Sequence, residues 1–146
     1  MKFKELNCTE VFANDILISR LPDPVGRACI IPKLKDRLIT AVDCSIVRLD
    51  ENYLPEYIIL CLNTNNYFKQ IRRLTNTSTR DRISRKELEN VTIPVPSYDE
   101  QQKLAQKFKY INQRINLLEQ ELEQYKQLKK SLSQLLLTGI VRVNEV

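Results

Sequence analysis

One stretch, from Ser97 to Leu137, limits what the rest of this chain can fold into. Its apolar positions run Leu104, Phe108, Ile111, Ile115, Leu118, Leu122 and Tyr125, then Lys129, Leu132 and Leu136. The steps alternate four and three without a slip, a repeat of about 3.5 residues rather than 3.6. Such a repeat keeps one narrow seam facing a partner helix and predicts a left-handed coiled coil. Only Lys129 breaks the apolar rule, with Leu128 beside it to cover part of the gap. No Gly or Pro interrupts the run between Tyr98 and Thr138. At the usual rise, some 38 helical residues make a rod of roughly 57 Å. A rod of that length cannot curl back on the modest domain that precedes it. It needs another helix.

Both ends of the rod are marked. Ser97-Tyr98-Asp99-Glu100 has the S-x-x-E form in which a hydroxyl and a carboxylate satisfy the first free backbone N–H groups. Asp99 and Glu100 also set negative charge at the positive end of the helix dipole. Pro94 and Pro96 keep helix from extending backward. Gly139, just past Leu137-Thr138, suits a left-handed cap.

With 146 residues there is room for one modest domain plus this helix. The composition, 42% hydrophobic and 28% charged, is that of a soluble globular protein. No apolar run is long enough for a transmembrane helix. Met1 to Asn7 lacks the apolar core and small-residue cleavage site of a signal peptide, so a cytoplasmic location is expected. Cys8, Cys29, Cys44 and Cys61 are dispersed, with no C-x-x-C pair. Disulfides are rare in cytosolic chains, and buried thiols acting as small apolar groups are the expectation.

Upstream of the rod, strands are expected at Asp15–Ser19, Ala28–Ile31, Leu38–Val42 and Ser45–Leu49, the last ending in the turn Asp50-Glu51-Asn52. Pro22, Pro24 and Gly26 mark a loop flanked by Arg20 and Arg27. Leu54-Pro55-Glu56 opens a helix with proline in its first turn, and helical spacing continues to Ile71 with Asn63–Asn66 as a weak point. A polar loop follows at 75–82, then a second S-x-x-E at Ser84–Glu87 and an extended stretch from Val91 to Pro96. Ile140 to Val143 is expected to form a terminal strand.

Histidine is absent, so no histidine-based triad, base or metal site can exist. Two glycines in the whole chain cannot build a phosphate-cradling loop, and neither dinucleotide nor P-loop spacing occurs. Asp15 and Asp43 read as turn or strand-edge residues. Enzymatic activity in this chain alone is not expected, and no cofactor is implied.

The positive signal is local. The net charge of +5 is mild, but seven basic residues lie between Lys69 and Lys86 against one acid, Asp81. Lys69, Arg72 and Arg73 fall in the last turns of a helix, where they also complement its negative end. A charge run of this kind can equally be a plain solvated face. Thr77, Ser78, Thr79, Arg80 and Arg82 follow on the loop and Arg85 after it. Hydroxyls and arginines contact phosphates and fix register, while planar arginine forks read guanine edges. With Arg20 and Arg27, these are the candidate DNA-binding residues.

Ile83-Ser84 through Glu87-Leu88, then Ile93-Pro94-Val95-Pro96, Asp99-Glu100-Gln101, the heptad helix and Leu135 to Ile140 occur in an order with a precedent. It resembles the junction between a target recognition domain and a spacer helix in specificity subunits of type I restriction–modification systems. Asn14 to Arg20 and Val25-Gly26 are similar to the middle of such a domain. The resemblance implies a non-catalytic subunit that binds a defined double-stranded DNA sequence and brings methyltransferase, and in full complexes translocase and nuclease, subunits to it. Family members usually carry two recognition domains and two antiparallel helices, where this sequence has one of each and lacks the stretch that opens a recognition domain. The implied fold class is α+β: a partial target-recognition-like domain over 1–96, a coiled-coil spacer helix over 97–138 and a tail strand over 139–146.

A single unpaired seam predicts a two-fold dimer with a second copy, or pairing with another specificity chain. A parallel pair would set Lys129 against Lys129 and Glu119, Glu121 and Glu123 near their own copies. An antiparallel pair centred near Gln124 brings Lys126, Lys129 and Lys130 alongside those acids and puts a recognition domain at each end. Such a dimer would read a split palindrome. The alternative is a truncated assembly element that pairs through its helix without reading DNA.

Overall fold

The computed structural model describes residues 8–22, 24–40, 43–75 and 82–142. They fall into two units that divide between Ala105 and Gln106.

In the first unit, β2 (Ile16–Ser19) is the centre of a three-stranded antiparallel sheet, between β3 (Ala28–Ile30) and β5 (Cys44–Val47). Leu17 lies opposite Cys29 on one side and Ile46 on the other. Because successive side chains alternate across a strand, Ile16 and Ile18 point together into the core, and both are buried. A second, two-stranded sheet pairs β1 (Thr9–Val11) with β4 (Leu38–Thr40), Glu10 opposite Ile39. The strand β1 was not expected. Asn14, at φ 70°, makes the turn from β1 to β2, and the carboxylate of Asp15 caps it by accepting the Phe12 N–H at 2.9 Å.

Two helices cover the larger sheet. α1 (Pro55–Cys61) begins with proline at its first position, and α2 (Asn65–Leu74) follows after a break at the expected weak point. Thr64 caps α2: its Oγ1 accepts from the Tyr67 N–H at 3.2 Å and donates to the Cys61 carbonyl at 2.8 Å. The core gathers Ile16, Ile18 and Val25 with Tyr57, Ile58, Cys61, Leu62, Tyr67, Ile71 and Ile83. The short α3 (Arg85–Leu88) opens with the reciprocal capping box expected at Ser84 and Glu87. The extended stretch after it is held by side chains: Tyr57 donates to the Pro94 carbonyl at 3.0 Å, and the Gln70 amide exchanges hydrogen bonds with the backbone of Thr92 at 2.9 and 3.1 Å.

The long helix is α4 (Tyr98–Leu137), 40 residues without a break, so about 60 Å. The architecture is therefore α+β with a long C-terminal helix. Its start differs from the expected capping box. The Ser97 hydroxyl donates to the Glu100 carboxylate at 3.0 Å, an acid–hydroxyl bond within the first turn. Gly139, at φ 72°, ends the helix with its N–H on the Leu136 carbonyl at 3.2 Å. In the second unit the apolar stripe lies in solvent: Phe108, Ile111, Ile115, Leu118, Leu122, Tyr125, Leu132 and Leu136 are 44–61% exposed.

Other expectations are revised. Of the four thiols only Cys61 is buried; Cys29 is exposed, because Ala28 and Ile30 take the inward positions of β3 and alternation turns the residue between them outward. In the tail, residues 140–142 are bend and coil rather than strand, and 143–146 lie outside the described residues, as do 41 and 42.

Candidate nucleic-acid interface

The basic face is built by α2. Tyr67 and Ile71, four apart, bury themselves against the sheet at 1% exposure each. That choice fixes where the rest of the helix points. Lys69, Arg72 and Arg73, related by three- and four-residue steps, share the opposite face and are all exposed. Arg72 and Arg73 also occupy the last turn, where their charge favours the helix end. The three cations are thus gathered by the same periodicity that packs the core.

Arg27 is brought to this neighbourhood by Gly26. The glycine sits at φ 84°, and a Cβ there would meet Ile71 Cγ1 at 2.9 Å, so only a residue without a side chain lets the loop close on α2. The Tyr67 hydroxyl completes the contact by donating to the Gly26 carbonyl at 2.9 Å in a buried setting. Burial pushes the Tyr67 phenol up to about 12, so it is a neutral donor at any physiological pH. Arg27 follows on the exposed side of this strapped loop.

Arg82 is held near the end of β2. Its guanidinium donates to Asp43 Oδ1 at 3.0 Å. Two backbone bonds fix that meeting point: Arg20 N–H to the Asp43 carbonyl at 2.9 Å and Ile83 N–H to the Arg20 carbonyl at 3.2 Å. Arg85 is exposed in the first turn of α3 and lines an open groove of about 1140 Å³ with Leu88, Val91 and Val47. Thr77, Ser78, Thr79 and Arg80 lie outside the described residues.

Arg20 departs from expectation. It is 9% exposed, because the alternation that turns Ile16 and Ile18 inward continues to the next position of the same parity. That signal was present in the sequence, and it withdraws Arg20 from the solvent-facing set. Asp15 is likewise buried, and Arg48 donates to its carboxylate at 3.3 Å while stacking over the Phe12 ring at 5.0 Å. Arg48 did not stand out in the sequence, and Gln101 did so only within the Asp99-Glu100-Gln101 run. Among the described residues no three Cys, Asp or Glu side chains gather closely enough to hold a metal ion, and no helix is long and apolar enough to cross a membrane.

The family model for the type I restriction modification DNA specificity domain matches residues 2–127. The chain belongs to this family. Among curated proteins it is similar to the type I restriction enzyme MjaX specificity subunit of Methanocaldococcus jannaschii, 33% identical over 132 residues, or 88% of this chain and 29% of that protein. It is also similar to the MjaVIII specificity subunit of the same organism, 30% identical over 91 residues, 62% of this chain and 21% of that protein. The chain thus spans less than a third of the length of these specificity subunits. The match covers the whole basic cluster and most of α4, so the family resemblance and the charged face concern the same residues.

Proposed function

We propose that this chain is a non-catalytic DNA-specificity element that binds double-stranded DNA through the exposed face of α2 and its neighbours. Lys69, Arg72 and Arg73 supply phosphate contacts that set register, with Arg27, Arg82 and Arg85 at the flanks and Thr77, Ser78, Thr79 and Arg80 as further contacts. The head formed by 1–96 acts as the recognition domain, and the helix over 97–138 as the spacer. The seam from Leu104 to Leu136 takes a second copy in antiparallel register, so that two heads address a bipartite site. Methyltransferase subunits are the partners brought to that site, in the cytoplasm. In this reading the protein does no chemistry of its own. It supplies position.

The observation that carries this reading is the conjunction, in one member of the family, of an arginine-bearing helix face with an exposed stripe of 3.5-residue period. Selection from a random-sequence duplex pool, with a methyltransferase partner present, is the test. Enrichment of a split motif supports the reading, and recovery of no motif overturns it.

A second reading is an assembly element that pairs through α4 without reading DNA. The buried Arg20 and the engaged Arg82 favour it, since both reduce the number of cations open to phosphate. Replacing Arg72 and Arg73 by Ala separates the two. A DNA-reading chain loses duplex affinity and keeps its helix pairing, whereas an assembly element changes in neither.

A further inference from the structure

We propose that Asp43 is a positioning residue for Arg82, and that the pair reads a base edge rather than a phosphate. This rests on the reading that the chain binds duplex DNA. The sequence gives Asp43 the ordinary part of a turn residue between two strands, and its contacts in the fold go further.

Two other segments bond to it, and a further backbone bond links those two to each other. The Asp43 carbonyl accepts from the Arg20 N–H at the end of β2 at 2.9 Å, and the Arg20 carbonyl in turn accepts from the Ile83 N–H at 3.2 Å. Ile83 is fully buried, at 0% exposure, so the base of Arg82 cannot drift. From that fixed base the Arg82 side chain reaches across to Asp43 Oδ1 at 3.0 Å. Both side chains remain about half exposed, 52% for Arg82 and 42% for Asp43. Among the described residues this is the guanidinium's only hydrogen bond, made through Nη2. Its other N–H donors therefore remain open to a ligand.

An exposed ion pair of this kind adds little to folding. What it changes is the guanidinium itself. The guanidinium keeps its charge, but the neighbouring carboxylate offsets part of its field, which weakens its pull on a phosphate. Pairing also fixes the plane of the fork and cuts the ordering cost of a bidentate bond. Phosphate contacts depend on charge and carry no sequence information, whereas a bidentate bond to guanine depends on geometry and does. An oriented arginine with its field partly offset suits the second task. Lys69, Arg72 and Arg73 on α2 form no ion pair among the described residues and suit the first.

The test uses the full chain with random-sequence duplex as probe, comparing wild type, Asp43→Ala, Asp43→Asn, Arg82→Ala and Arg82→Lys by motif selection and by affinity across salt. Arg82→Ala and Asp43→Ala should relax the same base pair of the selected motif, each losing roughly ten-fold in preference there. Asp43→Ala should bind unselected duplex as well as wild type or better, with the salt slope steeper by up to about 0.9 as Arg82 turns to phosphate. Asp43→Asn, which keeps an acceptor, should retain part of the preference, and Arg82→Lys should not restore it. An unchanged motif from Asp43→Ala, or an equal loss of affinity for all sequences, overturns the proposal while leaving DNA binding intact. A wild-type chain that binds no duplex overturns the parent reading, and this one with it.

Discussion

Gln101 offers a sharp test of how the first turn of α4 is held in its unit. Its side chain is 1% exposed and makes three hydrogen bonds. Oε1 accepts from the Leu54 N–H at 2.9 Å, and Nε2 donates to the Asn52 carbonyl at 3.1 Å and the Pro96 carbonyl at 3.0 Å. Both N–H donors of the amide are used, and its oxygen accepts one bond. Gln101→Leu strands one N–H and two carbonyls. Each buried orphan costs about 1–3 kcal/mol, and Asn52, being exposed, can recover water, so a net loss of about 2–4 kcal/mol is expected. Gln101→Glu keeps the shape and the Leu54 bond but aims a carboxylate oxygen at two carbonyl oxygens. An uncompensated buried charge of this kind costs about 3–5 kcal/mol. The cost raises the folded-state pKa of the new carboxyl above its unfolded value of about 4.3. The folded variant then binds the proton more tightly than the unfolded one, so stability lost at pH 7 returns as pH falls through the raised pKa. Urea melts followed by tyrosine fluorescence, each variant against wild type at the same pH, measure this. Gln101→Leu should show the same deficit at pH 7 and pH 4.5, and Gln101→Glu should recover at the lower pH. A Glu variant within about 0.5 kcal/mol of wild type at pH 7, or one with a pH-independent deficit, would refute the reasoning.

Two further outcomes follow from the geometry. Tyr67→Phe leaves the buried Gly26 carbonyl without its donor, a loss of about 1–2 kcal/mol measurable in the same urea melts. Burial holds the wild-type phenol at about 12 against 10.0 for a free tyrosine; wild-type stability should therefore fall between these two values, and the Phe variant should lack that share of the alkaline loss in a pH titration of unfolding. Replacing Arg72 and Arg73 by Ala should flatten the salt dependence of duplex binding by up to about 1.8, near 0.9 for each phosphate contact removed, as read by titration across salt. An unchanged slope would remove α2 from the interface.

What was legible in the sequence is what local periodicity encodes. The 40-residue α4, the Ser84 capping box, the break near Thr64 and the Gly139 stop depend on residues within a few positions of each other. The core strands β2, β3 and β5 were legible for the same reason. So was β4, but its partner β1 was not, because three residues around Thr9 have too short a pattern to signal and pair only with distant Leu38–Thr40. Gln101 was illegible because its three partners lie at Asn52, Leu54 and Pro96, and only the folded chain brings the first two to it. Arg20 is the instructive case. Residue type suggested solvent, while the parity of Ile16 and Ile18 pointed inward, and parity prevailed. The family resemblance carried on Ile83 to Ile140 agrees with the domain match over 2–127 as far as Gln127, where that match ends. The assignment of individual arginines to phosphate or base depends on contacts such as Arg82–Asp43, which no spacing encodes.

The central claim is that a stripe lying 44–61% exposed from Phe108 to Leu136 is covered by a second copy. Molecular mass in solution at micromolar concentration, by light scattering or sedimentation equilibrium, tests it most directly. The account predicts twice the chain mass of 17.2 kDa, collapsing to a single chain when Ile115 and Leu118 are both changed to Asp. A wild-type chain that stays at 17.2 kDa under these conditions would contradict it.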